Sequence, residues 1–345
     1  MGNTTWSKTY TDFVTATATK VGSKKFMDVI SRGSPFMNWM VDGKGVTGRA
    51  SGSRYVEGID GNEIMEPLMT ELNNTVKWYD GAETVDTNEQ NVGTAAFYGV
   101  KQLIASCTIT GKEKRLNSGK SQVINLAAAK MEQAMISIKN QLAIALMGTG
   151  TNTKEIEGVP AICPSDRGVS TAYGRITGSL TTAPWHLCQV SHTQTSTTAS
   201  AVGDFTTNWR DYGIRLFHDC TEGTEEPDIG LCTQELQEMY VKLLQPYERV
   251  YNKAAADLGY THTPEFCGIP LMWDRKHPDA GASTQRVWLL NSNYLFLRYA
   301  ADANFTVLGF QRPANADFIT TPIIWHGGLS CNNRRMQGVA YGITL

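Results

Sequence analysis

The stretch RLNSGKSQVINLAAAKMEQAMISIKNQLAIALMGTG, residues 115–150, carries the strongest helical signal in the chain. Asn117 or Ser118 supplies a cap, and the helix is expected to run to Met147 and stop at Gly148-Thr149-Gly150. Ile124, Ala127, Met131, Met135, Ile138, Leu142 and Leu146 recur at steps of three or four, which places them on one face. Such a helix is about 45 Å long at 1.5 Å per residue. Each large member of the stripe contributes about 1.5 to 3 kcal/mol when buried. The helix is therefore held by packing along its length and reads as a spine. Met131 and Met135 are core filler in this reading, not a cofactor pocket.

Upstream of the spine the charge changes sign. Residues 1–54 hold eight basic and three acidic side chains, a surplus of +5 that includes Lys24, Lys25 and Arg32. Thr, Gly and Lys dominate there, so the segment reads as an arm with little core. Residues 55–111 hold nine carboxylates against Lys77 and Lys101, a balance of −7. Asn74–Tyr79 is short, β-rich and followed by Asp80-Gly81. Leu103, Ala105, Cys107 and Ile109 alternate with polar neighbours. Together these two runs predict a long antiparallel excursion.

Downstream, residues 156 to about 280 mix short elements. The Ser/Thr run 191–200 reads as a loop, and Trp209, Tyr212, Leu216 and Cys220 predict a helix over Thr207–Cys220. Asp228–Cys232 reads as a strand, and a further helix starts near Thr233 and ends before Pro246. Arg286–Leu345 is rich in aromatic and β-branched residues with Pro and Gly punctuation, so it is mainly β.

Composition excludes several functions. The chain has 345 residues, enough for about two domains at 100 to 200 residues each. A net charge of −2 does not fit a protein whose main task is gripping nucleic acid, although a container for nucleic acid is allowed. Seven scattered cysteines without CxxC spacing fit reduced thiols. Neither a signal peptide nor an apolar run of about 18 residues is present, so no membrane association is expected.

Motifs that tempt an enzymatic reading are incomplete. Gly119-Lys120-Ser121 lacks the glycine a phosphate-binding loop needs five places earlier, where Lys114 stands. His186, Cys188 and His192 lack a fourth ligand and a familiar metal spacing. The acidic loop lacks the D-x-D-x-D-G calcium pattern. His218, His262, His277 and His326 accompany no nucleophile elbow. Neither catalysis nor a cofactor or metal is expected.

In their order along the chain these elements resemble the tailed-bacteriophage major capsid proteins, whose fold is named after phage Hong Kong 97. The likeness is carried by Asn74-Thr75-Val76-Lys77-Trp78-Tyr79-Asp80-Gly81, Thr108-Ile109-Thr110-Gly111, Arg115-Leu116-Asn117-Ser118-Gly119 and Leu146-Met147-Gly148-Thr149-Gly150. Pro227-Asp228-Ile229-Gly230-Leu231 and Gly268-Ile269-Pro270-Leu271-Met272-Trp273-Asp274 extend it. The resemblance implies an α+β Hong Kong 97-like capsid fold. Residues 1–54 would form the N-terminal arm and entry to a peripheral domain, 55–111 an extended β-hairpin loop, and 112–155 the peripheral spine helix. Residues 156–283 would form an axial domain, and 284–345 a β-rich return to the peripheral domain.

It further implies hexamers and pentamers that close into an icosahedral shell around double-stranded DNA, without sequence-specific binding. The expected setting is the virion, assembled in a host bacterial cytoplasm. Expected partners are other copies of the chain, a separate scaffold protein, a portal and, optionally, a decoration protein. Some family members begin with a helical scaffolding segment, whereas Met1 here leads directly into arm-like sequence. Some link subunits through Lys and Asn; Lys77 lies in the loop, but no such cross-link is expected. Opposite charge makes Glu63, Glu66, Glu71 and Lys77 on the loop, with Lys24, Lys25 and Arg32 on the arm, the candidate inter-subunit contacts. The alternatives are an encapsulin-like compartment shell of the same fold and an uncharacterised hydrolase.

Overall fold

A computed structural model describes residues 33–42, 54–59, 61–84, 86–116, 126–150, 152–169, 171–192, 199–244 and 264–345. Lys24, Lys25, Arg32, Ile124 and Gly119-Lys120-Ser121 lie outside the described residues.

In chain order, helix α1 (Pro35–Asp42) precedes strands β1 (Tyr55–Glu57), β2 (Glu63–Met69), β3 (Gly93–Gly99) and β4 (Lys101–Thr110). Helices α2 (Gly111–Leu116), α3 (Leu126–Leu146) and α4 (Val159–Ile162) follow, then the short strands β5 (Ala172–Tyr173), β6 (Ile176–Thr177), β7 (Gln189–Val190) and β8 (Gly203–Asp204). Helix α5 (Phe205–Asp219), strand β9 (Ile229–Cys232) and helix α6 (Gln234–Leu244) lead to β10 (Glu265–Phe266), β11 (Ile269–Trp273) and β12 (Thr284–Leu290). The chain closes with β13 (Leu295–Tyr299), β14 (Thr306–Val307), β15 (Phe318–Cys331) and β16 (Gly338–Thr344). This is an α+β architecture.

Contacts group the described chain into two units. One holds Gln102–Leu142 and Asp302–His326; the other holds Ser34–Lys101, Ala143–Ala301 and Gly327–Leu345.

In the first unit, Thr110-Gly111-Lys112-Glu113 forms a capping box. Thr110 N donates to Glu113 Oε2 at 2.9 Å, and Glu113 N donates to Thr110 Oγ1 at 3.3 Å. This starts α2, a helix that the sequence expectation, with its start at Asn117 or Ser118, does not include. Lys130 on α3 reaches Glu113 at 2.8 Å and Thr108 O at 3.0 Å, tying helix to cap. Ala134, Ile138 and Leu142 are buried in this unit, while Met131 and Met135 are half-buried; Ala143 and Leu146, later on the same helix, are buried residues of the second unit. The described helix is 21 residues, about 30 Å. β4 turns Leu103, Ala105, Cys107 and Ile109 inward as their alternation requires. Its partner, however, is β15, with the Thr108 and Thr320 hydroxyls 3.4 Å apart.

In the second unit a seven-stranded sheet runs β10-β11-β9-β12-β16-β7, with β8 also on β16. Helices α5 and α6 cover it. Phe205, Trp209 and Leu216 of α5 and Leu236 and Tyr240 of α6 pack with Phe266, Leu271, Val287, Leu289 and Ile343. Asp204 caps α5 by accepting from Thr206 N at 2.8 Å, which moves its start two residues ahead of the sequence expectation. Gly213 sits mid-helix because a Cβ there would fall 2.8 Å from Phe266 Cζ. α6 begins where Thr233 Oγ1 accepts from Leu236 N, and that hydroxyl also donates to Gln285. Also in this unit, β13 pairs with the far end of β15 and with β1.

One expectation fails outright. Asn74–Tyr79 is no strand: its backbone pairs with no other strand, and the antiparallel pair is β2 with β3 instead.

Candidate assembly surface

The pairing of β2 with β3 is in register from Glu63↔Gly99 to Met69↔Gly93. Alternation along β2 sends Ile64 and Glu66 inward, 4% and 6% exposed, and Met65 and Met69 outward. Ala96 and Tyr98 of β3 share the inward face. Gly93 is required at the far end, because a Cβ would lie 2.0 Å from Leu68 O.

The inward face is pinned by polar contacts. Arg298 Nε and Nη2 donate to Glu66 Oε1 at 2.9 and 2.6 Å, and Ser330 Oγ adds a third bond at 3.0 Å. Tyr98 donates its hydroxyl to Cys331 O. Burial pushes the Tyr98 hydroxyl far above its ordinary range, so at physiological pH it is a neutral donor. Glu63 forms an ion pair with Arg175.

Beyond Met69 these anchors end. Residues 70–92 make no regular structure among the described residues. Leu72, Val76 and Trp78 are 86%, 82% and 101% exposed, and Tyr79 and Val92 are also open to solvent. Local bonds shape the segment: Thr75 N donates to Asn73 Oδ1 at 2.8 Å, and Lys77 Nζ donates to Thr84 O at 2.6 Å. Lys77 lies 3.9 Å from Glu83. Glu71 is exposed.

The candidate contact residues thus divide. Glu71 and Lys77 are on the outer segment, and Glu63 is engaged at the base. Glu66 is not a surface carboxylate at all; it is a buried counter-ion. Sequence reasoning missed its partners because Arg298 and Ser330 lie 232 and 264 residues away. It also missed Arg175, whose only local signal is the glycine before it.

The metal-like trio is taken up separately. His186 Nε2 bonds Tyr173 O at 2.9 Å, Cys188 donates to Pro164 O at 3.6 Å, and His192 bonds Asp219 at 2.7 Å. Burial, then the nearby Arg334 charge, pushes His186 down to about 4, so it is neutral at physiological pH. Among the described residues no three His, Cys, Asp or Glu side chains converge as metal ligands. No described helix is long and apolar enough to cross a membrane. All seven cysteines are free thiols, and Cys267 alone is exposed.

No protein-family model matches this chain, and no curated protein matches it in sequence. Solved structures match its fold. The capsid asymmetric unit of cyanophage A-1(L) aligns with a TM-score of 0.62 at 13% identity, over 94% of this chain and 96% of that one. The capsid of Myoviridae phage XM1 aligns at 0.54 and 11% identity, over 94% and 96%. A holo-SrpI encapsulin complex from Synechococcus elongatus aligns at 0.52 and 10% identity, over 84% and 85%. These alignments span nearly the whole chain, which has the Hong Kong 97-like fold of tailed-phage major capsid proteins.

Proposed function

We propose that this chain is a shell subunit: copies associate as hexamers and pentamers and close into an icosahedral capsid around double-stranded DNA. The observation that carries this reading is the outer hairpin segment. Leu72, Val76, Trp78 and Tyr79 stand in solvent on a subunit of capsid fold. Exposed apolar surface of this kind marks a binding face, and Trp and Tyr are the side chains that dominate such faces. The partner is another copy. A separate scaffold and a portal, with or without a decoration protein, complete the particle, which forms in the host bacterial cytoplasm and persists as the virion. The subunit itself catalyses nothing.

The encapsulin likeness supports a second reading, a cellular compartment built by the same contacts around protein cargo. Electron microscopy and sedimentation of the purified chain, with scaffold supplied where needed, test both. Closed shells or capsomer rings are expected. Packaged DNA in particles from infected cells supports the virion; a bound cargo peptide supports the compartment. A stable monomer under every assembly condition overturns the two together.

A further inference from the structure

The turn joining β5 to β6 uses two residues of positive φ, Gly174 at 60° and Arg175 at 62°. Two consecutive left-handed positions make the tight type I′ turn that suits strand twist. Glycine answers that demand at 174, where a Cβ would also fall 2.9 Å from Tyr98 Cε1 and 3.0 Å from the Ala96 Cβ. Arg175 is the costly choice, because its own Cβ sits in a region that L-residues avoid. Making the turn does not call for arginine; Gly, Asn or Asp would do so with less strain.

The guanidinium accounts for the choice. It pairs with Glu63, the first residue of β2, and its Cζ lies 5.7 Å from the Phe97 ring centre on β3. One residue back, Gly174 O accepts from Phe97 N at 3.0 Å. The Tyr173 ring centre lies 5.0 Å from that of Tyr98. The turn therefore meets the outer edge of β3 and straddles it. Gly174 lies against Ala96 and Tyr98 of the inward face, and Arg175 against Phe97 and Glu63 of the other. The bonds of Glu66 and Tyr98 hold the hairpin from the inward side only; Arg175 adds a hold on the opposite face.

We infer that Arg175 is a positioning residue for the hairpin: through Glu63 and Phe97 it fixes the direction in which the segment carrying Trp78 leaves the subunit. This deepens the shell reading and rests on it for its consequence, since a misaimed hairpin leaves each copy folded but unable to engage the next.

Arg175→Gly is the decisive variant, because it relieves the left-handed strain and removes both contacts. A residue that serves only the turn predicts an unchanged or higher melting temperature and unchanged hydrogen exchange. A positioning residue predicts an undiminished melting temperature with about tenfold faster amide exchange in residues 63–69 and 93–99. Closed shells should then be lost or replaced by irregular ones. Arg175→Glu combined with Glu63→Arg exchanges the ion pair and should recover part of the protection that either reversal alone removes. Wild-type exchange rates in Arg175→Gly overturn the inference. Because exchange is read on unassembled subunits, it decides the role of Arg175 independently of shell formation. Failure of the wild-type chain to assemble would remove the shell reading instead.

Discussion

The base of the β2–β3 hairpin and the segment beyond it belong to one excursion of chain, yet they satisfy their side chains in opposite ways. At the base, Ile64, Ala96 and Tyr98 are covered, and the one inward carboxylate, Glu66, has Arg298 and Ser330 as partners. Past Met69, larger apolar side chains stand uncovered, and the hydrogen bonds there are local. The base is complete within one subunit. The outer segment leaves its apolar side chains uncovered within one subunit.

The largest effect is expected away from the hairpin, as a reference for loss of the fold itself. Ile138→Pro removes a helical hydrogen bond from α3 and clashes with the preceding turn, costing about 3 kcal/mol or more before lost packing. No soluble, assembling protein should result; normal particles would show that α3 does not hold the subunit together.

Glu66→Lys attacks the base. It sets a second cation beside Arg298 in a buried site, a loss of about 3 to 5 kcal/mol, and should appear as a large fall in melting temperature followed by circular dichroism. Combined reversal of Glu63, Glu66 and Glu71 should therefore cost the fold itself through Glu66, and not only the inter-subunit contacts that the charge pattern suggests. A Glu66→Lys melt within a degree of wild type would mean that the base is not anchored there.

Trp78→Ala sharpens the contrast from the other end. Stability should stay within about 0.5 kcal/mol, since the side chain touches little in the subunit, while each inter-subunit contact weakens by about 2 kcal/mol or more. Sedimentation should find folded subunits and few shells. Wild-type shell yield would place the interface elsewhere.

The smallest effect belongs to surface charge. Glu71→Lys with Glu83→Lys should lower particle yield by amounts of about 0 to 1 kcal/mol per pair, visible in low salt and masked in high. Reversing Lys24, Lys25 and Arg32 to Glu should partly restore it. Equal yield at all ionic strengths would show that the acidic loop serves solubility alone.

What the sequence reveals of this molecule follows the range of the interactions. The Ile138, Leu142, Leu146 stripe, the Thr233 helix start and the inward alternation on β4 are local periods, and each stands where its period puts it. The capping box at Thr110–Glu113 carries the same local signature, Thr followed three residues later by Glu, yet it is absent from the sequence expectations and starts α2. Asn74–Tyr79 misleads because β-propensity describes fit to a pleated, paired surface, and no partner strand meets it. Glu66 misleads for the complementary reason: nothing in its neighbourhood separates it from Glu63 or Glu71. Its burial depends on Arg298, and long-range pairing leaves no periodic trace.

Strand β16 has a consequence for how the subunit comes into being. It bonds to β12 through Thr284↔Thr344 to Leu289↔Gly338, to β7 at Gln189 and Val190, and to β8 at Gly203 and Asp204. Its first residue is Gly338 because a Cβ would sit 2.5 Å from Cys220 Sγ. Every strand it joins leaves the ribosome before it does. A nascent chain halted short of Gly338 holds three strand edges open and the core under α5 unsealed, so non-local pairing must wait for synthesis to reach this point. Chains broken off earlier never acquire the finished sheet.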